Sequence, residues 1–171
     1  MHLMERYAFM VPWQGWRWAF LVLLTLSLLP YRQAQSQQQP FTQASLQGQY
    51  AVVGSGGNHT AASIGIETYD GQGNVTRILI LNEPDANQTR KVVRLTGQGT
   101  YRVQPNGMGT ATIVNTLPNG STFTSHLDFV VTRATTAKAH DEKLATEVVA
   151  ILRETGIAAP LVTFVLSRLP D

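Results

Sequence analysis

Glu67 and Arg77 are the charged residues most at odds with their surroundings in this chain. Each interrupts an apolar run, Glu67 beside Ile64 and Ile66, and Arg77 in alternation with Val75 and Leu79. If Arg77 shares the face of Val75 and Leu79, it is a charge inside the fold and needs an acid such as Glu67 or a ligand carboxylate. The alternative makes Thr76, Ile78 and Ile80 the core face and leaves Arg77 in solvent; taken alone, the residue types favour this second arrangement. His126 and Asp128 form the other notable pair. Two positions apart, they lie on one face of a strand, as a general base and its orienting carboxylate would. Leu127, Phe129 and Val131 fill the opposite face, so that face packs on the core and His126 and Asp128 look outward. Glu67, Arg77, His126 and Asp128 are therefore the candidate ligand-binding residues, and no residue qualifies as catalytic.

Other motifs fall away on spacing. Gly54-Ser55-Gly56-Gly57 follows a strand-like run, but a dinucleotide fingerprint needs a third glycine where His59 stands, and a helix after it. No Gly-Lys-Ser/Thr follows for a P-loop. The glycines read as a hairpin loop or a bulge at a sheet rim. His59, His126 and His140 show no metal-ligand spacing, and cysteine is absent, so neither a metal nor a cofactor is expected. Gly54-Ser55-Gly56 also lacks the frame of a nucleophile elbow.

The elements that must position these residues are strands. Runs rich in Val, Ile, Thr, Tyr and Phe recur at 50–53, 64–69, 75–81, 92–95, 100–103, 110–115, 123–132 and 162–166, with glycine-bearing turns between them. Asp70-Gly71, Asn106-Gly107 and Asn119-Gly120 are dipeptides that accept positive φ in tight hairpins. "IETYDGQGNVT" and "YRVQPNGMGTAT" look like copies of one hairpin unit. One segment breaks the rhythm. Leu144, Val148, Ile151 and Leu152 fall at helical spacing, with Asp141 to cap, Gly156 to terminate and Pro160 to prevent resumption, which predicts a helix over 141–154. Val148 and Val149 would suit a strand there instead. The fold class is all-β: a small antiparallel barrel of about eight strands with one C-terminal helix before the last, or a β-sandwich. A barrel of eight strands is either filled by its side chains or holds one small ligand. The candidates to fill it are Tyr50, Ile64, Leu79, Phe123 and Phe129.

The first 36 residues predict export. Arg6 and Arg17 precede "WAFLVLLTLSLL", 18–29, an apolar run too short to span a bilayer, and Ala34-Gln35-Ser36 offers a small-x-small cleavage site. Cleavage after Ser36 gives a secreted or periplasmic protein. An uncleaved anchor, with Trp13, Trp16 and Trp18 at the interface, would be its one route to a membrane. The polar stretch 37–45 reads as a flexible leader and 46–171 as the barrel domain. With no cysteine, no disulfide supports the exported fold. From Gln37 onward there are ten basic and ten acidic residues, so no nucleic-acid partner is expected. Oligomeric state stays open.

"LQGQYAVVG", "IGIETYDGQGNV", "TGQGTYRVQPNGMGTATI" and "LDFVVTR" together resemble a group of small exported bacterial proteins of unknown function. These look like the allene oxide cyclase-like barrels, in the broad neighbourhood of calycins. The resemblance covers roughly 46–133 and implies a barrel. The plant cyclase of that name isomerises a fatty-acid epoxide inside its barrel, and none of its catalytic residues maps onto a position here. Three functions fit this sequence: an exported barrel holding a small apolar or amphipathic molecule, a cyclase-like or isomerase-like enzyme in the same barrel, and an envelope structural or interaction protein with a filled barrel. A cavity separates the first two from the third.

Overall fold

In the computed structural model, the described residues are 39–56, 61–85, 87, 89–137, 142–153 and 162–170. The segment 1–36 read above as a signal peptide, His59, His140, Asp141, Gly156 and Pro160 lie outside them. Eight antiparallel strands run in chain order around a closed barrel: β1 (Gln47–Gly56), β2 (Ala61–Asp70), β3 (Asn74–Pro84), β4 (Arg90–Val103), β5 (Met108–Thr116), β6 (Thr122–Ala137), β7 (Glu142–Leu152) and β8 (Val162–Arg168). Each strand pairs with the next, and β1 pairs with β8, so no edge is left unpaired. That closure rules out the sandwich.

The turn chemistry carries the hairpins. Gly71, Gly107 and Gly120 sit at φ of 75°, 86° and 82°, where a Cβ would be strained. The residue before each glycine also contributes. Asp70 Oδ1 accepts from the amides of Gln72, Gly73 and Asn74, and Asn106 and Asn119 accept from the amides two residues on.

Two expectations change. Of the helix expected over 141–154, the described residues Glu142–Leu152 are strand β7. Ten register pairs join β7 to β6 and five join it to β8, and without them both neighbours would present bare edges. Thr146, Val148, Val149 and Ile151 are β-branched and suit a strand. A register shift in the β6–β7 ladder around Arg133 lets Ala145 and Val148, three apart, both be buried with Ala150, whereas Leu144 of the expected helical face is only partly buried. The strand count of eight holds for a different reason: the runs at 92–95 and 100–103 are one strand, β4, and β7 restores the number. Order also begins ahead of residue 46. Gln43–Ser45 form a 3-10 turn, with Ser45 fully buried, and Phe41 N donates to Pro105 O at 3.1 Å.

The interior divides along the barrel axis. Near the 3-10 turn it is full: Leu46, Val75, Val103, Phe129 and three tyrosines pack there. Tyr69 stacks edge-on against both Tyr50 and Tyr101, with ring centroids 5.5 and 5.0 Å away. The phenols of Tyr50 and Tyr101 donate to the carbonyls of Ala145 and Leu46 at 2.7 and 2.6 Å, so these buried hydroxyls cost little. Burial raises the Tyr101 phenol to about 12. On the outside, Val53, Ile64, Ile66 and Ile78 are exposed across β1–β3. Ile64, expected within the barrel, is thus on its outer wall.

Candidate functional site

Between the packed half and the opposite rim lies a layer of polar side chains. Glu67 and Arg77 are direct cross-strand partners on β2 and β3, and both point inward, 4% and 5% exposed. This corrects the solvent placement that the residue types of β3 favoured. Tyr69 and Val75 flank the Asp70-Gly71 turn and belong to the core, and alternation then carries Glu67, Arg77 and Leu79 inward with them. Ile78 and Ile80 take the other face. Their apolarity alone could not decide the matter, because partners from distant strands make Arg77 tolerable inside.

Those partners come from β5 and β6. Arg77 donates Nε–H to Asn115 Oδ1 at 2.8 Å and an Nη2–H to the same oxygen at 2.5 Å. A second Nη2 contact reaches Ser125 Oγ at 3.4 Å, and Nη1 reaches Glu67 Oε1 at 3.5 Å. Asn115 Nδ2 donates to Ser125 Oγ at 2.9 Å, and Tyr69 OH donates to Glu67 Oε2 at 2.6 Å. Burial, and then the Glu67 carboxylate, push the Tyr69 phenol well above its ordinary value, so it remains a donor. Burial pulls the Arg77 guanidinium below its ordinary value, with Glu67 opposing.

Gly97 of β4, directly opposite Arg77, lets this layer form. A Cβ there would stand 2.9 Å from Ile113 Cγ2, 3.0 Å from Arg77 Cγ and 3.0 Å from Asn115 Oδ1. Glycine therefore opens the lane along which Arg77 crosses from β3 to β5. Neither Asn115, Ser125 nor Gly97 stood out in the sequence. Asn115 and Ser125 sit at inward positions of strands, where a polar residue is the only available signal.

Beyond this layer is a cavity of about 370 Å³, at the small end of the range for ligand sites. Its walls include Leu79, Leu81, Leu95, Phe123, Leu152 and Phe164, and Arg77 and Ser125 line it at the polar layer. Glu83 and Pro84 line it at the rim. Phe123, expected as core filling, is 43% exposed but borders this space. Ser63 also lines it, and its buried Oγ is the one such side-chain atom among the described residues with no hydrogen-bond partner. The glycine run acquires its meaning here. Gly54 to Gly56 stay in register with both β2 and β8, without a bulge. A Cβ on Gly54 would fall 2.4 Å from Ser63 Oγ and 2.5 Å from Phe164, so Gly54 makes space for the cavity wall.

His126 and Asp128 lie on the outer wall, away from this cavity. Asp128 is held by Arg153, whose Nε donates to Oδ2 at 2.8 Å, and that bond lowers the carboxyl below its ordinary value. Among the described residues, no three His, Asp or Glu side chains come together to hold a metal ion. The inner site joins an apolar chamber to a fixed polar wall, the general form of a small-molecule site. No protein-family model, curated protein or solved structure matches the chain, so these residues carry the functional argument by themselves.

Proposed function

We propose that this protein is an exported barrel that holds one small amphipathic molecule in the half of its interior beyond Arg77. The observation that carries the reading is the cavity of about 370 Å³, apolar along its walls and polar at one end. A barrel built only as a scaffold gains by filling such a space, because an empty cavity lined by leucine and phenylalanine costs stability. Gly54 leaves room for Ser63 and Phe164, two of the side chains that wall it. Export rests on the basic, apolar and small-residue pattern of the first 36 residues.

Native and denaturing mass spectrometry of protein taken from its own cell envelope fraction tests both parts. The expected result is a denatured mass beginning at Gln37 and a discrete adduct seen only under native conditions. Leu81→Trp, which fills the chamber from its wall, is expected to remove the adduct. A clean native mass would overturn the binding reading, and a denatured mass retaining Met1 would replace export by anchoring.

A further inference from the structure

The polar end of the cavity offers hydrogen-bond donors and no free acceptor. Arg77 carries five N–H groups, and the four contacts to Asn115, Ser125 and Glu67 leave one Nη1–H without a partner among the described residues. Ser125 Oγ already accepts from Asn115 Nδ2 and from Arg77, so its own proton remains to be given. The other acceptors of the layer are out of reach or filled: Asn115 Oδ1 takes two N–H groups from Arg77, and Glu67, bonded to Arg77 and Tyr69, is not among the residues that line the cavity. A ligand atom seated here must therefore accept.

Charge narrows the class. The Nε/Nη2 edge of Arg77 is closed by Asn115 and its Nη1 side is shared with Glu67, so no edge remains for the two-oxygen fork of a carboxylate. Glu67 already opposes the guanidinium, and Glu83 adds a second acid at the rim. An anionic ligand would add a charge that Glu67 and Glu83 oppose, against walls that are mostly apolar. A cation would meet Arg77. Resting on the binding proposed above, we infer that the ligand is a neutral aliphatic molecule whose carbonyl oxygen accepts from Ser125 and Arg77. Its body lies along Leu79, Leu81, Leu95 and Phe164.

Ser63 adds a second feature. It is 6% exposed, its hydroxyl is unpartnered, and it pairs in register with Leu81, four residues along β3 from Arg77. Four residues of strand are about 13 Å, which places Ser63 about that far along the wall from the Arg77 backbone. A second polar group on the ligand, such as a hydroxyl partway along its chain, meets Ser63 at that height. The cavity volume equals that of about twelve liquid waters, which suits an ester of roughly that many heavy atoms.

The test is titration calorimetry of the full mature chain with octane, methyl octanoate, octanoate and octylammonium, followed by methyl octanoates hydroxylated at successive carbons. Methyl octanoate is expected to bind about tenfold or more tightly than octane, octanoate or octylammonium. One hydroxylated isomer is expected to exceed the parent ester about threefold or more, and Ser63→Ala to abolish that gain while leaving the ester's lead over octane intact. Equal binding of octane and ester, or tightest binding of octanoate or octylammonium, overturns the inference and leaves the binding reading standing. A hydroxyl gain that is absent, or that survives in Ser63→Ala, overturns the second contact. Failure of every probe to bind overturns the binding reading together with the inference.

Discussion

Replacing Arg77 by methionine removes one half of a buried ion pair and should cost about 3–5 kcal/mol of folding stability. The figure follows from what is left behind. At 3.5 Å the Glu67–Arg77 attraction amounts to about 5 kcal/mol at an effective dielectric constant of about 20, and burial of the two charges has already consumed much of it. Arg77→Met leaves the Glu67 carboxylate 4% exposed with only the Tyr69 hydroxyl as partner, and strips Asn115 Oδ1 of both its donors. Adding Glu67→Gln removes the stranded charge while the amide keeps the shape and an oxygen for Tyr69. The double variant should therefore be more stable than Arg77→Met alone, although it carries one change more, and should fall short of the summed single losses by about 3 kcal/mol. Urea unfolding followed by far-ultraviolet circular dichroism, on the wild type, both singles and the double, gives the cycle. Additivity within about 0.5 kcal/mol would refute the claim that these charges stabilise each other inside the barrel.

Gly97→Ala should cost about 1–3 kcal/mol, read by the same unfolding assay, because its methyl group would stand 2.9–3.0 Å from Ile113, Arg77 and Asn115, inside van der Waals contact; an unchanged midpoint would mean that the lane is not tight. Ser63→Ala should leave the ligand-free protein as stable as before or slightly more so, since a buried hydroxyl without a partner contributes nothing to the fold; a loss above about 1 kcal/mol would reveal a bond to Ser63 Oγ. Asp70, whose bonds to Asn74 and neighbouring amides hold its carboxyl at about 2, has a folded value below its unfolded one. It therefore stabilises above the unfolded value near 4, and this contribution is lost as pH falls toward 2. Asp70→Asn should flatten that part of the acid-unfolding curve, and an unaltered slope between pH 4 and 2 would count against the turn's role. Leu81→Trp should abolish probe binding without unfolding the barrel, checked by calorimetry beside circular dichroism.

The sequence by itself determined the class and most of the strand positions, because these depend on local chemistry. Alternation of apolar residues, together with Asp-Gly and Asn-Gly at the turns, defines hairpins whatever else the chain does, and β2–β3 and β4–β5 formed as the repeated unit implied. It also drew attention to Glu67 and Arg77, since a charge within an apolar run stands out. Three matters waited for the tertiary structure. Whether 142–152 became helix or strand depended on the unpaired edges of β6 and β8, which exist only once the barrel is nearly closed. Which face of β3 turned inward depended on Asn115 and Ser125, 38 and 48 residues away, since a buried guanidinium is tolerable only where such partners are in reach. The cavity itself depended on which side chains met across the interior, and Gly54, beside Ser63 and Phe164, and Gly97, beside Arg77 and Asn115, acquire their meaning only from the side chains packed against them. A sequence records the size of each residue, but an empty volume is set by residues facing one another across a closed barrel.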